Sequence, residues 1–340
     1  MSVASISLDL DNLWSYIKIH GDDGWRSFPS YLDRLAEIVI ERLRWHDLRI
    51  TIFVVGQDAA LAKNREALAA FAAEGHEIGN HSFSHEPWFH RFSYDEAERE
   101  IARAEEHIEA ATGHRPRGYR APGFSLSADA LHILARRGYL YDCSTFPTFI
   151  GPLARAYYFR RSRRLSEEER AERGRLYGTV GEGLRPLRPY AWDLSDGELL
   201  EIPVTTMPVL RLPFHMSYLI YLAGFSRSAF RAYLRAALAM CRWRRVEPSF
   251  LLHPLDFLGG DAVTELAFFP GMSTSTAAKL DLFDEAMEAI LASFEPLTLR
   301  QHAERARRAE PLPRRRYDTD SRNPTEGTDA DVQGEMRADI

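Results

Sequence analysis

Two pairs of residues, about seventy positions apart, have the types and spacing of a metal site. Asp9 and Asp11 are separated by one residue, and His81 and His85 are four apart. Side chains two apart at a strand end point to the same side, and a helical turn would put side chains four apart on one face. Two imidazoles and one carboxylate leave positions on an ion open for water and substrate. The pattern predicts a catalytic metal centre with a spare carboxylate that can act as a base.

The composition is that of an ordinary globular protein. The chain has 340 residues, of which 45% are hydrophobic and 27% charged, and its formal net charge is −6. This balance favours neither nucleic-acid binding nor a membrane bundle. Cys143 and Cys241 are too few for a zinc cluster, and we expect reduced thiols. The first residues lack a basic region and a long apolar run, so we expect no signal peptide and a cytoplasmic location.

Strand and helix patterns alternate along most of the chain. Short apolar or β-branched runs predict strands at residues 2–8, 50–55, 76–79, 117–120, 139–142, 199–205 and 249–253. Apolar periodicity and capping signals predict helices at residues 29–45, 64–73, 93–112, 127–138 and 226–242. Alternation of this kind predicts parallel βαβ units.

Polar residues that could bind a metal or act as acids and bases follow the ends of the predicted strands. They are Asp9, Asp11, His81, Arg120, Asp142 and His253. A (β/α) barrel builds its active site from all of its strand ends, whereas an open doubly wound sheet would gather such residues at one crevice. We therefore predict a distorted (β/α) barrel with fewer than eight regular repeats, forming one catalytic domain over residues 1–300.

Three stretches interrupt this pattern. Residues 150–193 are interpreted as an insertion with a charged helix at 166–176 and an arginine cluster at 160–164, and insertions of this length often form lids or binding loops. Residues 212–226 are apolar but too short to span a bilayer, so we expect a buried helix or an apolar lip over the site. Residues 304–340 are polar, and we expect a disordered tail.

Five motifs, in order, resemble those of the polysaccharide deacetylase family. They are the Asp9–Asp11 and His81–His85 segments, residues 120–125 (Arg-Ala-Pro-Gly-Phe-Ser), residues 141–142 (Tyr-Asp) and residues 251–254 (Leu-Leu-His-Pro), and they cover roughly residues 2–260. The family consists of metal-dependent amidohydrolases that remove N- or O-acetyl groups from chitin, peptidoglycan and lipid-linked sugars. The resemblance implies a deacetylase-type barrel and a carbohydrate or glycolipid substrate.

The resemblance also implies the metal ligands. Asp11, His81 and His85 would hold a divalent ion, with zinc as the first choice and cobalt, nickel, manganese and iron as alternatives. Leu10 separates the two aspartates where the usual family motif has adjacent acidic residues. This spaced form resembles a branch of the family with small, cyclic or lipid-linked substrates.

The catalytic roles follow from the same resemblance. Asp9 would be the general base toward a metal-bound water, and Arg120 would hold Asp9 by a bidentate contact. A backbone N–H near Gly123 would lie in the oxyanion hole, and His253 would be the general acid that protonates the leaving amine. Asp256 is a candidate for tuning that acid.

Two further aspartates are candidates for the acidic fourth motif of the family. These are Asp193 and Asp196, which lie near Trp192 in the sequence. Asp142 is interpreted as a strand-end residue that supports the site from behind.

The predicted function is metal-dependent hydrolysis of an N-acetyl or N-formyl group from a sugar, including a lipid-linked sugar or an exopolysaccharide precursor. The apolar residues 212–226 and the arginine cluster at 160–164 suggest contact with a membrane surface. Three alternatives stay open: a cyclic imide or ureide amidohydrolase on the same fold, an Fe(II) oxygenase that uses the same two histidines and carboxylate, and a catalytically inactive glycan-binding protein. The sequence determines neither the exact substrate nor the oligomeric state.

Overall fold

The computed structural model describes residues 2–150, 180–309 and 311–317. The strands are β1 (Val3–Asp9), β2 (Thr51–Val54), β3 (Glu77–Asn80), β4 (Gly118–Tyr119), β5 (Tyr141–Asp142), β6 (Tyr190–Trp192), β7 (Leu200–Glu201), β8 (Ser249–Leu252), β9 (Glu295–Leu297) and β10 (Arg314–Arg315). The helices are α1 (Leu13–His20), α2 (Leu32–Trp45), α3 (Gly56–Ala60), α4 (Arg65–Ala73), α5 (Tyr94–Thr112), α6 (Ala128–Arg136), α7 (Met216–Ala223), α8 (Arg227–Arg244), α9 (Thr276–Leu291) and α10 (Leu299–Ala309).

The strands form one curled sheet. Their order is β10-β6-β7-β5-β4-β3-β2-β1-β8, and β9 pairs with the beginning of β1. The pair β6–β7 is antiparallel, and the other strand pairs of the described residues are parallel. In this part of the chain β8 and β10 end the sheet without pairing with each other, which leaves a half-barrel. The predicted distorted (β/α) barrel is confirmed.

The central strands are apolar because helices and neighbouring elements cover them. All residues of β1 and β2 are buried. Strands that are covered on both faces lose the alternation of polar and apolar residues, which explains the continuous apolar run that ends at Val55. The carboxyl ends of these parallel strands meet at one edge of the sheet, and the residues that follow them form the site.

Helix α5 packs close to the loop that carries the two candidate histidines. It begins with a capping box, in which Ser93 N donates to Glu96 Oε2 at 2.9 Å and Ser93 Oγ accepts from Glu96 N at 3.4 Å. Gly56, the first residue of α3, allows this packing, since a Cβ at Gly56 would lie 2.7 Å from Ala104 Cα of α5. Gly56 N in turn donates to Ser82 O at 2.9 Å, which ties α3 to the histidine loop.

Most predicted strands and helices are present with ends shifted by a few residues, and residues 212–226 contain the short helix α7. The expected helix at 166–176 and the arginine cluster at 160–164 lie outside the described residues. No helix in the described ranges is both long and apolar enough to cross a membrane.

The expected disordered tail is wrong for its first part. Residues 304–309 continue helix α10, and residues 314–315 pair with β6. The reason is that α10 carries a small apolar face, on which Leu299 and Ala303 are buried beside Phe53 and Tyr141. Residues 318–340 lie outside the described residues.

Candidate active site

The loop after β1 places its two aspartates at different depths. Asp9, the last residue of β1, is 4% exposed, whereas Asp11 lines an open cavity. Asn12 fixes the loop, because its Nδ2 donates to Asp58 Oδ1 at 2.7 Å and its Oδ1 accepts from Leu13 N at 2.8 Å, capping α1. Tyr31 Oη also donates to Asp11 O at 2.6 Å. The backbone of the two aspartates is therefore held from both sides.

The loop after β3 carries both histidines but is not the helical turn that the spacing suggested. Residues 81–88 form bends and turns, and Ser82 and His85 have φ values of 61° and 52°. Glu100 of α5 replaces the helical hydrogen bonds. Its Oε2 accepts from Phe83 N at 3.1 Å and Ser84 N at 2.8 Å, and its Oε1 accepts from Ser84 Oγ at 2.7 Å.

Asp11, His81 and His85 nevertheless converge. Their potential ligand atoms all lie within 4.8 Å of one another. Asp11 Oδ1 is 2.8 Å from His85 Nε2 and 3.5 Å from His81 Nε2. His81 Nδ1 is 2.7 Å from Arg120 O, a contact in which only a ring N–H can donate, so the lone pair of Nε2 faces Asp11. Asp11 Oδ1 is buried without a hydrogen-bond donor. An orphaned carboxylate oxygen between two imidazole nitrogens fits a divalent cation.

The electrostatics of this triad favour positive charge. Burial alone would raise the pKa of Asp11, but the neighbouring His85 and His81 hold it far below its ordinary value. Burial alone would lower the pKa of His81, but the charge of Asp9 and the contacts with Asp11 raise it above its ordinary value. The negative charge of Asp9 and Asp11, which favours a proton on His81, would equally favour a divalent cation in its place.

Arg120 and Asp9 form a buried ion pair behind the triad. Arg120 is fully buried, and its Nη1 donates to Asp9 Oδ1 at 2.8 Å. The expected bidentate contact is wrong, because two other N–H groups go to Cys143: Nε donates to Cys143 O at 3.1 Å and Nη2 to Cys143 Sγ at 3.2 Å. Burial lowers the pKa of Arg120, yet the charge of Asp9 outweighs this and raises it.

His253 approaches the cavity from the opposite side, on the short turn after β8. Its Nδ1 is 3.1 Å from Ser217 Oγ of α7, and its backbone N donates to Asp256 Oδ2 at 2.7 Å. Buried Lys279 holds the same turn, because its Nζ donates to Leu255 O at 2.6 Å and to Leu258 O at 2.9 Å. Burial lowers the pKa of Lys279 to about 8, opposed by the charge of Asp256.

A cavity of about 330 Å³ joins these groups. The triad, Gly123 and His253 all line it, together with apolar walls. The apolar lining residues include Trp88, Phe124, Ile220, Leu255 and Phe269. Gly123 has a left-handed φ of 59° in the turn after β4. Mostly apolar walls with a few convergent polar groups are typical of small-molecule sites.

Other candidate residues lie away from the cavity. Asp193 contacts Arg316 at 3.0 Å, and Asp196 contacts His132 at 2.5 Å, so neither belongs to the site. Asp142 is fully buried beside Glu201 of the adjacent strand. Burial raises the pKa of both carboxyls, and the charge of Asp142 adds to the increase at Glu201.

Four supporting residues carried no clear sequence signal. They are Asp58, Glu100, His215 and Lys279. Each acts through a tertiary contact with a residue far away in the chain.

Residues 16–141 match the family model described as Polysaccharide deacetylase. The chain is also 32% identical over 84 residues to the peptidoglycan-N-acetylglucosamine deacetylase of Bacillus cereus. This stretch of the chain is therefore similar to the polysaccharide deacetylase family. The family is one of hydrolases that act on carbon–nitrogen bonds other than peptide bonds. The matched stretch contains His81, His85, Arg120 and Gly123.

The alignment with the Bacillus cereus deacetylase covers 25% of this chain and 30% of that protein. The chain thus spans about a third of the length of the curated relatives it matches. Two solved structures share the fold along most of this chain. A protein of Pseudomonas aeruginosa PAO1 assigned to the polysaccharide deacetylases has a TM-score of 0.57 at 16% identity, covering 91% of this chain and 92% of its own. Puue allantoinase has a TM-score of 0.57 at 17% identity, covering 91% of each chain.

Glu100→Gln should weaken metal binding by about 10- to 100-fold, the usual effect of losing a group that orients a ligand. In this variant an amide NH₂ group replaces one of the two carboxylate oxygens that accept hydrogen bonds from the N–H and O–H groups of the histidine loop. Zinc titration by calorimetry measures the effect. Glu98→Gln is the control, because Glu98 lies on the same helix but contacts Arg137 at 2.6 Å. Equal affinity in the two variants would contradict the role of Glu100.

Proposed function

We propose that this chain hydrolyses an N-acetyl or N-formyl group from a sugar with the help of one divalent ion, with zinc as the first choice. The observation that carries the proposal is the arrangement of three groups around one cavity. The Asp11, His81 and His85 triad and His253 line this cavity, and the buried Asp9–Arg120 ion pair adjoins the triad.

Asp11, His81 and His85 would hold the ion. An ion in this position lowers the pKa of water and polarises an acyl carbonyl when bound. The Arg120 O contact with His81 keeps one ligand in the required tautomer, and Glu100 keeps the loop in place. The chain thus supplies a site that is shaped before substrate arrives.

Asp9 would be the general base. It is buried, it is held by Arg120 and it is close enough to His81 for its charge to raise the pKa of that imidazole. A carboxylate in this position could take a proton from a water that attacks the acyl carbon. The backbone N–H near Gly123 would donate to the developing oxyanion, since Gly123 lines the same cavity.

His253 would be the general acid on the leaving-group side. An amine leaves poorly unless it is protonated, and an imidazole can supply a proton near neutral pH. Ser217 contacts its Nδ1, which leaves Nε2 as the nitrogen that can reach a leaving group.

The substrate class is proposed to be an acylated sugar that is free or lipid-linked. Helix α7 supports the lipid-linked form, because Ile220 lines the cavity while Tyr221 and Phe225 beside it are 47% and 74% exposed. Exposed aromatic residues next to a cavity mouth can contact an acyl chain or a membrane surface. A cyclic imide or ureide is the second candidate, because a 330 Å³ cavity suits a small ring.

The decisive assay measures release of acetate or formate by zinc-loaded protein from free, nucleotide-linked and lipid-linked N-acyl sugars. Hydantoin and allantoin are the imide and ureide substrates, and their hydrolysis is followed by chromatography of the ring-opened acids. Asp9→Asn should abolish release while zinc stays bound, because Asp9 is not among the ligands of the triad. Release from the sugars that this variant eliminates supports the proposal. Turnover of the imide or ureide alone would mean that these compounds, and not acylated sugars, are the substrates. No turnover of any compound in the panel would reject the proposal that the chain is a hydrolase. Loss of zinc in Asp9→Asn would mean that the two aspartates have exchanged roles.

His253→Ala should reduce turnover by about 10²- to 10⁴-fold, the usual contribution of a general acid. Steady-state kinetics on the best substrate of the panel measures this effect. His132→Ala is a matched control, because His132 contacts Asp196 away from the cavity. Near wild-type turnover in His253→Ala would remove His253 from the mechanism.

A further inference from the structure

A second imidazole lies in the cavity beside His253. His215 lines the same cavity as the triad, and its ring centroid is 6.1 Å from that of His253. The proposed reaction needs one acid on this side, and His253 fills that role. His215 is therefore a half-buried imidazole in the cavity that the mechanism leaves unused.

The position of His215 is fixed by the fold. It is the residue before α7, and its carbonyl accepts from Leu219 N at 3.2 Å. Phe146 packs edge-on against the ring, with centroids 5.8 Å apart, and Phe146 itself stacks on Phe124 of the cavity wall. The ring is thus held at the wall by packing on an aromatic pair, and within the described part of the chain its Nδ1 receives no orienting hydrogen bond.

His215 Nδ1 is a buried polar atom that has no hydrogen-bond partner among the residues that the structure describes. Buried polar groups are normally satisfied, and an unsatisfied one in a binding cavity indicates a partner that arrives with the ligand. Among the described residues, Asp11 Oδ1 and His85 Nδ1 of the triad are also buried without a partner, and both side chains line the cavity. His215 is the residue outside the triad that shares this property in the cavity lining of the described residues.

The chemistry of His215 selects an uncharged partner. Burial and the charge of His253 lower the pKa of His215 to about 3, so the ring is neutral and offers one N–H donor and one lone pair. Lys279 also lines the cavity, but its Nζ already donates to two carbonyls and contacts Met272 Sδ at 3.5 Å. The neutral ring of His215 itself offers no charge to a phosphate or carboxylate, whereas a hydroxyl group can both donate to it and accept from it.

We propose that His215 is a substrate-binding residue that hydrogen-bonds to a hydroxyl group of a neutral, N-acylated sugar ring held in the cavity. This inference rests on the proposed function for the identity of the cavity as a substrate site. It adds two points about the substrate. The sugar ring that carries the reacting acyl group has no charged group where it faces α7. His215 distinguishes a sugar ring that has the contacted hydroxyl group from one that lacks it.

The test is calorimetric or NMR titration of N-acetylglucosamine onto the zinc-loaded protein. His215→Phe keeps an aromatic ring but removes both nitrogens, and it should raise the dissociation constant by about 3- to 15-fold, the range for one hydrogen bond between neutral groups. His215→Asn, which keeps a polar group near Nδ1, should recover part of the loss. His20→Phe is the matched control, because exposed His20 stacks on Phe268 and is absent from the cavity lining. Zinc content and melting temperature should match the wild type in all three variants.

The outcomes separate this inference from the proposed function. No binding of N-acetylglucosamine by the wild type, or equal binding by wild type and His215→Phe, overturns the inference even where acyl release is observed. Binding that depends on His215, together with silence in the acyl-release panel, supports the inference and rejects the hydrolase. A deoxy analogue that binds wild type and His215→Phe equally well would identify the hydroxyl that His215 contacts.

Discussion

The site depends on one buried ion pair, that between Asp9 and Arg120. Arg120 follows β4, and it connects three other strand ends. Its side chain contacts Asp9 at the end of β1 and Cys143 after β5, while its carbonyl lies 2.7 Å from His81 Nδ1 after β3. Removing one member of a buried pair leaves an uncompensated charge, so the partners constrain each other strongly. The candidate base and one candidate metal ligand are positioned by the same residue.

The surrounding fold brings these polar residues together and supports them. The parallel strands end at one edge of the curled sheet, so short loops are enough to bring their polar residues together. Helix α5 supports the histidine loop through Glu100, and helices α7 and α9 support the His253 turn through Ser217 and Lys279. The triad and His253 thus line opposite walls of one cavity, and a different set of helix residues supports each of them.

The sequence was enough to predict the barrel and the residues that converge, because strand ends and motif order are local features. It was not enough for the details of the site. The histidine loop contains no glycine to indicate left-handed φ, and its bracing residue Glu100 lies on a later helix. Cys143 competes for the N–H groups of Arg120, which no spacing indicates. No second residue at a recognisable spacing marks His215 in the sequence, so only the folded structure shows that it lines the cavity.

The central claim is that Asp11, His81 and His85 form one metal site. The most direct measurement is the zinc content, by mass spectrometry, of purified wild type and of Asp11→Ala and His85→Ala, with Asp193→Ala as a control for an exposed carboxylate outside the cavity. We predict one tightly bound ion per chain in the wild type and the control, and loss of that ion in the two triad variants while their fold, monitored by circular dichroism, is retained. Equal zinc content in all four proteins would contradict the account.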